Sequence, residues 1–399
     1  MDPILGMSVL YKKDTDPKKV DLGVGAFRTE EGKPYIFDVI REAEKHLLND
    51  LNSGKINKEY QGSEGNHEYL ELSKKVIFGD SLFSSLKSKV ASTQSVGGTG
   101  ALRIAADFIR KFPFSNTAPT IYLPKPTWGN HHAIFKQAGF KVEEYPYWKK
   151  ETRGLDLEGM IKKFKDIPSK SIVLLHACAH NPTGVDPSDK EWETICNVMK
   201  EKNHFTFFDN AYQGFASGNL EKDAFAIRHF ANQGLQMIVT QSYSKTLGLY
   251  GERAGAFHLL CSNEKTAENC LTQLRIVVRT NYSNPPLHPM RLVLTVLKDK
   301  NLYSGWLNEL EAVAGRIIEM RKLLREELER IKTPGNWDNI TNQIGMFSYT
   351  GMTEKQCERM INNCHIYMLK NGRISMSGVT KKNVKYIAQS IKKSVEADN

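Results

Sequence analysis

The sequence has no apolar run near the roughly 18 residues that a membrane-spanning helix needs, which excludes a helical membrane protein. Its first 19 residues, MDPILGMSVLYKKDTDPKK, have neither a long apolar core nor an Arg/Ser-rich, acid-poor character, so no signal or transit peptide is expected in them. The six cysteines (178, 196, 261, 270, 357 and 364) are scattered and none forms a C-x-x-C. Free thiols in a reducing compartment are the simplest account. The G-x-G-x-x-G spacing of a dinucleotide fingerprint is missing, and no clear strand-end acid stands where a ribose contact belongs. Basic residues do not cluster with aromatic readers, which argues against a nucleic-acid binder despite a net charge of +10. The lysines are instead spread along amphipathic stretches with acids between them, as in residues 309–332. No internal repeat and no low-complexity tract is present.

With 399 residues and 40% hydrophobic content the chain can bury large cores, and its length suits two or three domains. A positive field would attract small anionic substrates. Short apolar runs at residues 90–96, 120–123, 171–175, 205–208, 237–240 and 255–260 read as strands. Helical patterns lie between them, at 101–112 and 190–202 among others. This alternation predicts an α/β fold with a doubly wound, mostly parallel sheet, whose ligands bind outside the carboxyl ends of the strands. Residues 306–331 keep apolar spacing with no proline and read as one long helix bridging into a smaller α/β unit. Residues 1–35 read as polar, with a Gly-Val-Gly turn at 23–25.

The chain is organised around residues 241–255, QSYSKTLGLYGERAG. Lys245 falls just past a strand end, beside Ser242 and Ser244, and Arg253 follows eight residues on. Two hydroxyls and a guanidinium fork suit a phosphate, and a lysine suits a Schiff base with a carbonyl next to it. Together these describe pyridoxal phosphate, whereas S-x-S-K alone favours a basic surface loop, and the motifs upstream and downstream tip the balance. Gly97-Gly-Thr-Gly100, between a strand and a helix, offers backbone N–H groups, the helix dipole and the Thr99 hydroxyl to a phosphate, or else forms a plain turn. Trp128 either stacks on a planar ring or packs in the core. His176-Ala-Cys-Ala-His180 would put three zinc-type ligands on one strand face, but no fourth ligand accompanies them, and no metal is assigned. Asn181, in an Asn-Pro turn, would aim its amide into the site. Asp209 ends a strand and suits a protonated pyridine nitrogen. Tyr212, three residues on, suits the ring oxygen, with a helix cap and a packed Tyr as the alternative reading. Arg279 and Arg373 could each grip a carboxylate bidentately.

Taken in order, GVGAFR, GGTGALRIAADF, PKPTWGNH, HACAHNPTGVDP, FFDNAYQGFASG, QSYSKTLGLYGER, NYSNPP and NGRISMSGVT resemble the eukaryotic aspartate aminotransferases across essentially the whole chain. The DPILG and IYMLKNGRISMSGVT stretches look closer to the mitochondrial than to the cytosolic form. The resemblance implies the type I pyridoxal-phosphate fold and a homodimer with sites at the subunit boundary. It implies an arm and part of the small domain in 1–35, the large domain in 36–312 and the rest of the small domain in 313–399. Lys245 would carry the cofactor. Asp209 would hold the pyridine nitrogen, Tyr212 and Asn181 the ring oxygen, and Trp128 the ring face. Gly98, Thr99, Ser242, Ser244 and Arg253 would bind the phosphate, with Tyr60 reaching in from the other subunit. Arg373 would clamp the substrate α-carboxylate, Gly25 would sit against the substrate, and the partner's Arg279 would grip the distal carboxylate.

Two departures from the resembling pattern stand out. Gly97 replaces the usual serine, which removes a phosphate hydroxyl and is expected to loosen the cofactor slightly. The N-terminal arm is short, which is expected to weaken its contact across the dimer. The activity implied is amino transfer between aspartate and 2-oxoglutarate, in the cytoplasm or, for a mature organellar form, in the mitochondrial matrix. A broad-specificity or aromatic transaminase and a pyridoxal lyase or decarboxylase are the rival enzymes.

Overall fold

The computed structural model describes residues 3–113 and 118–398. Its centre is a seven-stranded sheet: β1 (Val90–Val96), β2 (Thr120–Lys125), β3 (Lys141–Pro146), β4 (Ile172–His176), β5 (Phe205–Asn210), β6 (Met237–Ser242) and β7 (Ala254–Leu260). The spatial order is β1-β7-β6-β5-β4-β2-β3. Only β7 runs antiparallel to its neighbours. β4, β6 and β7 are buried at every residue, as expected for strands covered by helices on both faces.

Direction decides what meets at the sheet's edge. The carboxyl ends of β1, β2, β4, β5 and β6 share one edge. β7 runs the other way, so its first residues, with Arg253 just before them, come to that same edge. Chain segments far apart in sequence are thus gathered where such sheets bind ligands.

The helices adjust the expected boundaries. α2 (Gly97–Lys111) begins at Gly97, four residues before the predicted start, so the glycine turn is itself the first helical turn. Its buried face is Ala101, Leu102, Ile104, Ala105, Phe108 and Ile109. The long helix, α4 (Lys300–Arg330), starts six residues early because Asp299 accepts hydrogen bonds from the Asn301 and Leu302 amides. Its 31 residues extend roughly 46 Å at 1.5 Å per residue. Trp306, fully buried on it, donates Nε1–H to the Thr246 carbonyl at 2.6 Å, which ties the helix to the residue after Lys245. Between β7 and α4 runs α3 (Glu264–Asn281), with Arg279 in its last turn.

The chain's two ends pack together. Residues 3–13 form a helix, α1 (Pro3–Lys13), which the polar reading of this stretch did not foresee. Val20–Asp21 then pairs in parallel with Ile366–Tyr367. Asp14 fastens the join: its Oδ2 lies 2.7 Å from His365 Nδ1 and accepts the Tyr367 hydroxyl at 2.7 Å. Hydrogen bonds from the Asp16 amide, Tyr367 and His365 hold the Asp14 carboxyl down at about 2, and the Asp14 bond raises His365. The signs define a window. The raised His365 favours the clasp fully below its ordinary pKa of about 6.5, an advantage lost as pH rises through the folded value. The depressed Asp14 favours it above about 4, an advantage lost as pH falls through about 2. Proteolytic cleavage within residues 14–19 should therefore be faster at pH 9 than at pH 6. His365→Asn should remove that difference, and equal rates in the unmodified protein would contradict it.

Candidate active site

A cavity of about 190 Å³ opens at the carboxyl edge of the sheet. Twelve of the fourteen residues singled out from the sequence line it: Gly25, Gly98, Thr99, Trp128, Asn181, Asp209, Tyr212, Ser242, Ser244, Lys245, Arg253 and Arg373. Tyr60 and Arg279 do not. Tyr60 is 84% exposed, and Arg279 is exposed, its guanidinium bonded to Ser283 and Asn284.

One end of the cavity is built for an anion. The first-turn N–H groups of α2 have no partner within the helix, and its dipole adds positive potential. Ser242 Oγ accepts the Ser244 amide at 3.2 Å, and Arg253 Nη1 donates to Ser244 Oγ at 3.0 Å. A side chain at Gly98 would put its Cβ 2.9 Å from that of Ser242, so glycine keeps the backbone close to the hydroxyls.

Lys245 stands in the middle, its Nζ 5.1 Å from the centre of the Tyr212 ring. Burial lowers its pKa to about 8; Asp209 opposes the shift, and the charges of Arg253 and Arg373 add to it. A lysine so tuned is neutral in part near pH 7–8, as a base or nucleophile must be.

The floor is a polar chain that the motif reading did not anticipate. His176, at the end of β4, is buried, and burial pushes its pKa down to about 3, so it is neutral. Its Nδ1 accepts the Asn181 amide at 3.4 Å, which assigns the proton to Nε2, 2.9 Å from Thr127 Oγ1. Thr127 then faces His131 Nδ1 at 2.9 Å, leaving His131 Nε2–H to donate to Asp209 Oδ2 at 3.0 Å. Thr240 donates to Asp209 Oδ1 at 3.2 Å. Burial alone would raise the Asp209 pKa. The His131 hydrogen bond, helped by the nearby Lys245 charge, outweighs it, and the net shift is downward. Asp209 is therefore ionised next to the cavity. Replacing His131 by leucine should raise the Asp209 pKa, by roughly one unit per 1.4 kcal/mol of hydrogen bonding lost. The acid limb of the activity–pH profile should move up accordingly; an unmoved limb would contradict the assignment.

The zinc arrangement suggested by His-x-Cys-x-His does not form. β4 ends at His176, so the alternation stops before Cys178 and His180. His180 stacks on Tyr147 at 3.7 Å and bonds Thr183, and no group of three ligand-type residues gathers among the described residues.

The remaining wall holds a third cation, after Arg253 and Lys245. Arg373 is 2% exposed; it donates to the Gly23 carbonyl at 2.7 Å and to Asn181 Oδ1 at 3.3 Å, with its guanidinium 4.1 Å over the Phe347 ring. Phe347 also meets Tyr212 edge-on at 6.0 Å. Neither Phe347 nor His131 stood out in the sequence. Phe347 arrives through the antiparallel pairing of Phe347–Tyr349 with Arg373–Ser375; both stretches fall within the smaller α/β unit expected from the sequence, but their pairing leaves no local signal. His131 lies three residues after Trp128, one helical turn, and that spacing was its only cue. Trp128 is half-buried, its ring edge-on to His131 at 5.3 Å.

The profile of the class I and II aminotransferases matches residues 17–391. The cytoplasmic aspartate aminotransferase of Dictyostelium discoideum is 46% identical over 391 residues, 98% of this chain and 87% of that protein. The aspartate aminotransferase from the cytoplasm of Saccharomyces cerevisiae superposes with a TM-score of 0.96 at 40% identity, covering 100% of this chain and 97% of that one. An aromatic-amino-acid aminotransferase from Burkholderia pseudomallei, covalently bound to pyridoxal phosphate, superposes at 0.94 with 38% identity, covering 99% and 97%.

Proposed function

Because the chain belongs to the class I and II aminotransferase family, we propose that it transfers an amino group reversibly between L-aspartate and 2-oxoglutarate, giving oxaloacetate and L-glutamate. Pyridoxal phosphate is the family's cofactor, and the donor set fits it. Hydroxyls, helix N–H groups and Arg253 stand at one end, an amine in the middle and an ionised carboxylate on the floor. The observation that carries the reading is the meeting of Lys245, Asp209 and Arg373 in one cavity from three distant parts of the chain.

When bound, pyridoxal phosphate supplies a conjugated ring that takes up the electron pair left at the substrate Cα. Lys245 Nζ would take the proton from that carbon and give it back on the cofactor side of the transferred nitrogen, an exchange that a pKa near 8 suits. Asp209 keeps the pyridine nitrogen protonated. Asn181 and Tyr212 hold the ring oxygen, and Trp128 covers one ring face. Thr99, Gly98, Ser242, Ser244 and Arg253 bind the phosphate. Arg373, aligned by Asn181 and Phe347, grips the α-carboxylate in a bidentate fork, and Gly25 faces the substrate from the same side.

Tyr60 and Arg279 lie outside this chain's cavity, which supports a homodimer in which each is lent to the other copy's site. Residues 36–312 form the larger unit in this reading. Residues 1–35 join 313–399 in the smaller one, supported by the pairing of Val20–Asp21 with Ile366–Tyr367.

The test compares donors with 2-oxoglutarate as acceptor. Oxaloacetate should form from aspartate over many turnovers only when 2-oxoglutarate is present, and to at most one equivalent per site without it, with kcat/KM for aspartate well above that for phenylalanine. Similar values for the two donors would favour the broad-specificity reading. Carbon dioxide or ammonia as the main product would favour a decarboxylase or lyase.

A further inference from the structure

We propose that Gly97 is a positioning residue whose missing side chain leaves the seat in which Arg253 holds the cofactor phosphate. The inference rests on the pyridoxal-phosphate reading and deepens it. Gly97 does not line the cavity, so it acts through its neighbour. It has φ +68°, a left-handed conformation in which any side chain is strained. A Cβ built there would run into the Arg253 guanidinium, 2.8 Å from Cζ.

Arg253 is committed to this place. It too is left-handed, at φ +61°, a strain held by its surroundings. Its carbonyl accepts the Gly97 amide at 2.9 Å, and Nη1 donates to Ser244 Oγ and the Tyr250 carbonyl, each at 3.0 Å. From the far side, Gly255 presses so close that a Cβ there would lie 2.6 Å from the Gly97 carbonyl carbon. The backbone therefore has no room to yield, and only the far end of the arginine does. A side chain at 97 displaces the guanidinium and leaves the fold in place. The exchange of serine for glycine noted in the sequence gives up one hydroxyl and leaves the place beside the start of α2 to the Arg253 guanidinium, the stronger anion ligand.

The experiment measures the dissociation constant of pyridoxal phosphate, by absorbance titration of the apoprotein, for the parent, Gly97→Ala, Arg253→Ala and the double variant. Thermal melting of each apoprotein is followed in parallel. Gly97→Ala should weaken binding by roughly tenfold or more, the worth of one charge-assisted hydrogen bond. In the Arg253→Ala background the same change should cost less than about threefold, because the guanidinium it displaces is gone. Gly97→Ser should also bind more weakly than the parent.

Equal costs in both backgrounds, or tighter binding by the serine variant, would overturn the proposal. A Gly97→Ala protein that folds only when Arg253 is also replaced supports it. Failure to fold in both backgrounds places the clash in the backbone and overturns it. A parent protein that binds no pyridoxal phosphate would sink the underlying reading as well, which separates the two failures.

Discussion

Replacing Lys245 by alanine should lower kcat by about 10⁴-fold or more while leaving part of the cofactor bound. General acid–base transfer by a positioned group is worth roughly 10²–10⁴-fold, and here the same amine also supplies the covalent attachment. The surroundings offer no substitute. Lys245 is half-buried, and the cavity's other cations are arginines committed elsewhere: Arg253 to Ser244 and Tyr250, Arg373 to Asn181 and Gly23. The phosphate donors lie on other segments and stay in place, so the variant should still take up pyridoxal phosphate, without a covalent link. Single-turnover measurement with aspartate checks this, and a rate within about tenfold of the parent would remove Lys245 from the chemistry.

The second large effect concerns choice of substrate. Arg279→Leu should lower kcat/KM for aspartate by roughly 10²–10³-fold, since removing one partner of a buried charge pair costs about 2–5 kcal/mol. Phenylalanine, with no second carboxylate, should lose little. The position of Arg279 gives the expectation its form. It sits in the last turn of α3, outside its own chain's cavity, with its guanidinium bonded to Ser283 and Asn284. A residue lent to a second copy predicts complementation. Arg279→Leu mixed with Lys245→Ala should form hybrid dimers that regain aspartate activity, because one site then contains both native residues. No recovery on mixing would argue against the shared site.

These residues were legible in the sequence because strand ends leave a local signature. Lys245, Asp209 and Asn181 each follow an apolar run that stops abruptly, and parallel topology brings such stops to one edge. The fold class was readable for the same reason, since the strands are covered on both faces and read as continuous apolar runs. What escaped depends on contacts across long separations. The His176–Thr127–His131–Asp209 chain links β4, the segment after β2 and β5, and no single stretch contains it. The clasp at Asp14 joins residues 351 apart in the chain. α1 went unnoticed because its apolar residues do not gather on one clear face. Gly97 was visible as a departure but not as a cause: only its left-handed backbone and the guanidinium beside it explain why glycine suits that place.

The account stands or falls on a covalent bond between Lys245 and pyridoxal phosphate. Borohydride reduction of the purified protein reconstituted with pyridoxal phosphate, followed by peptide mapping, tests it most directly. One stable pyridoxyl adduct per chain, on Lys245, with the visible absorbance lost on reduction and also on prior addition of aspartate, is the predicted result. A colourless protein, or an adduct that maps to another lysine, would contradict the account.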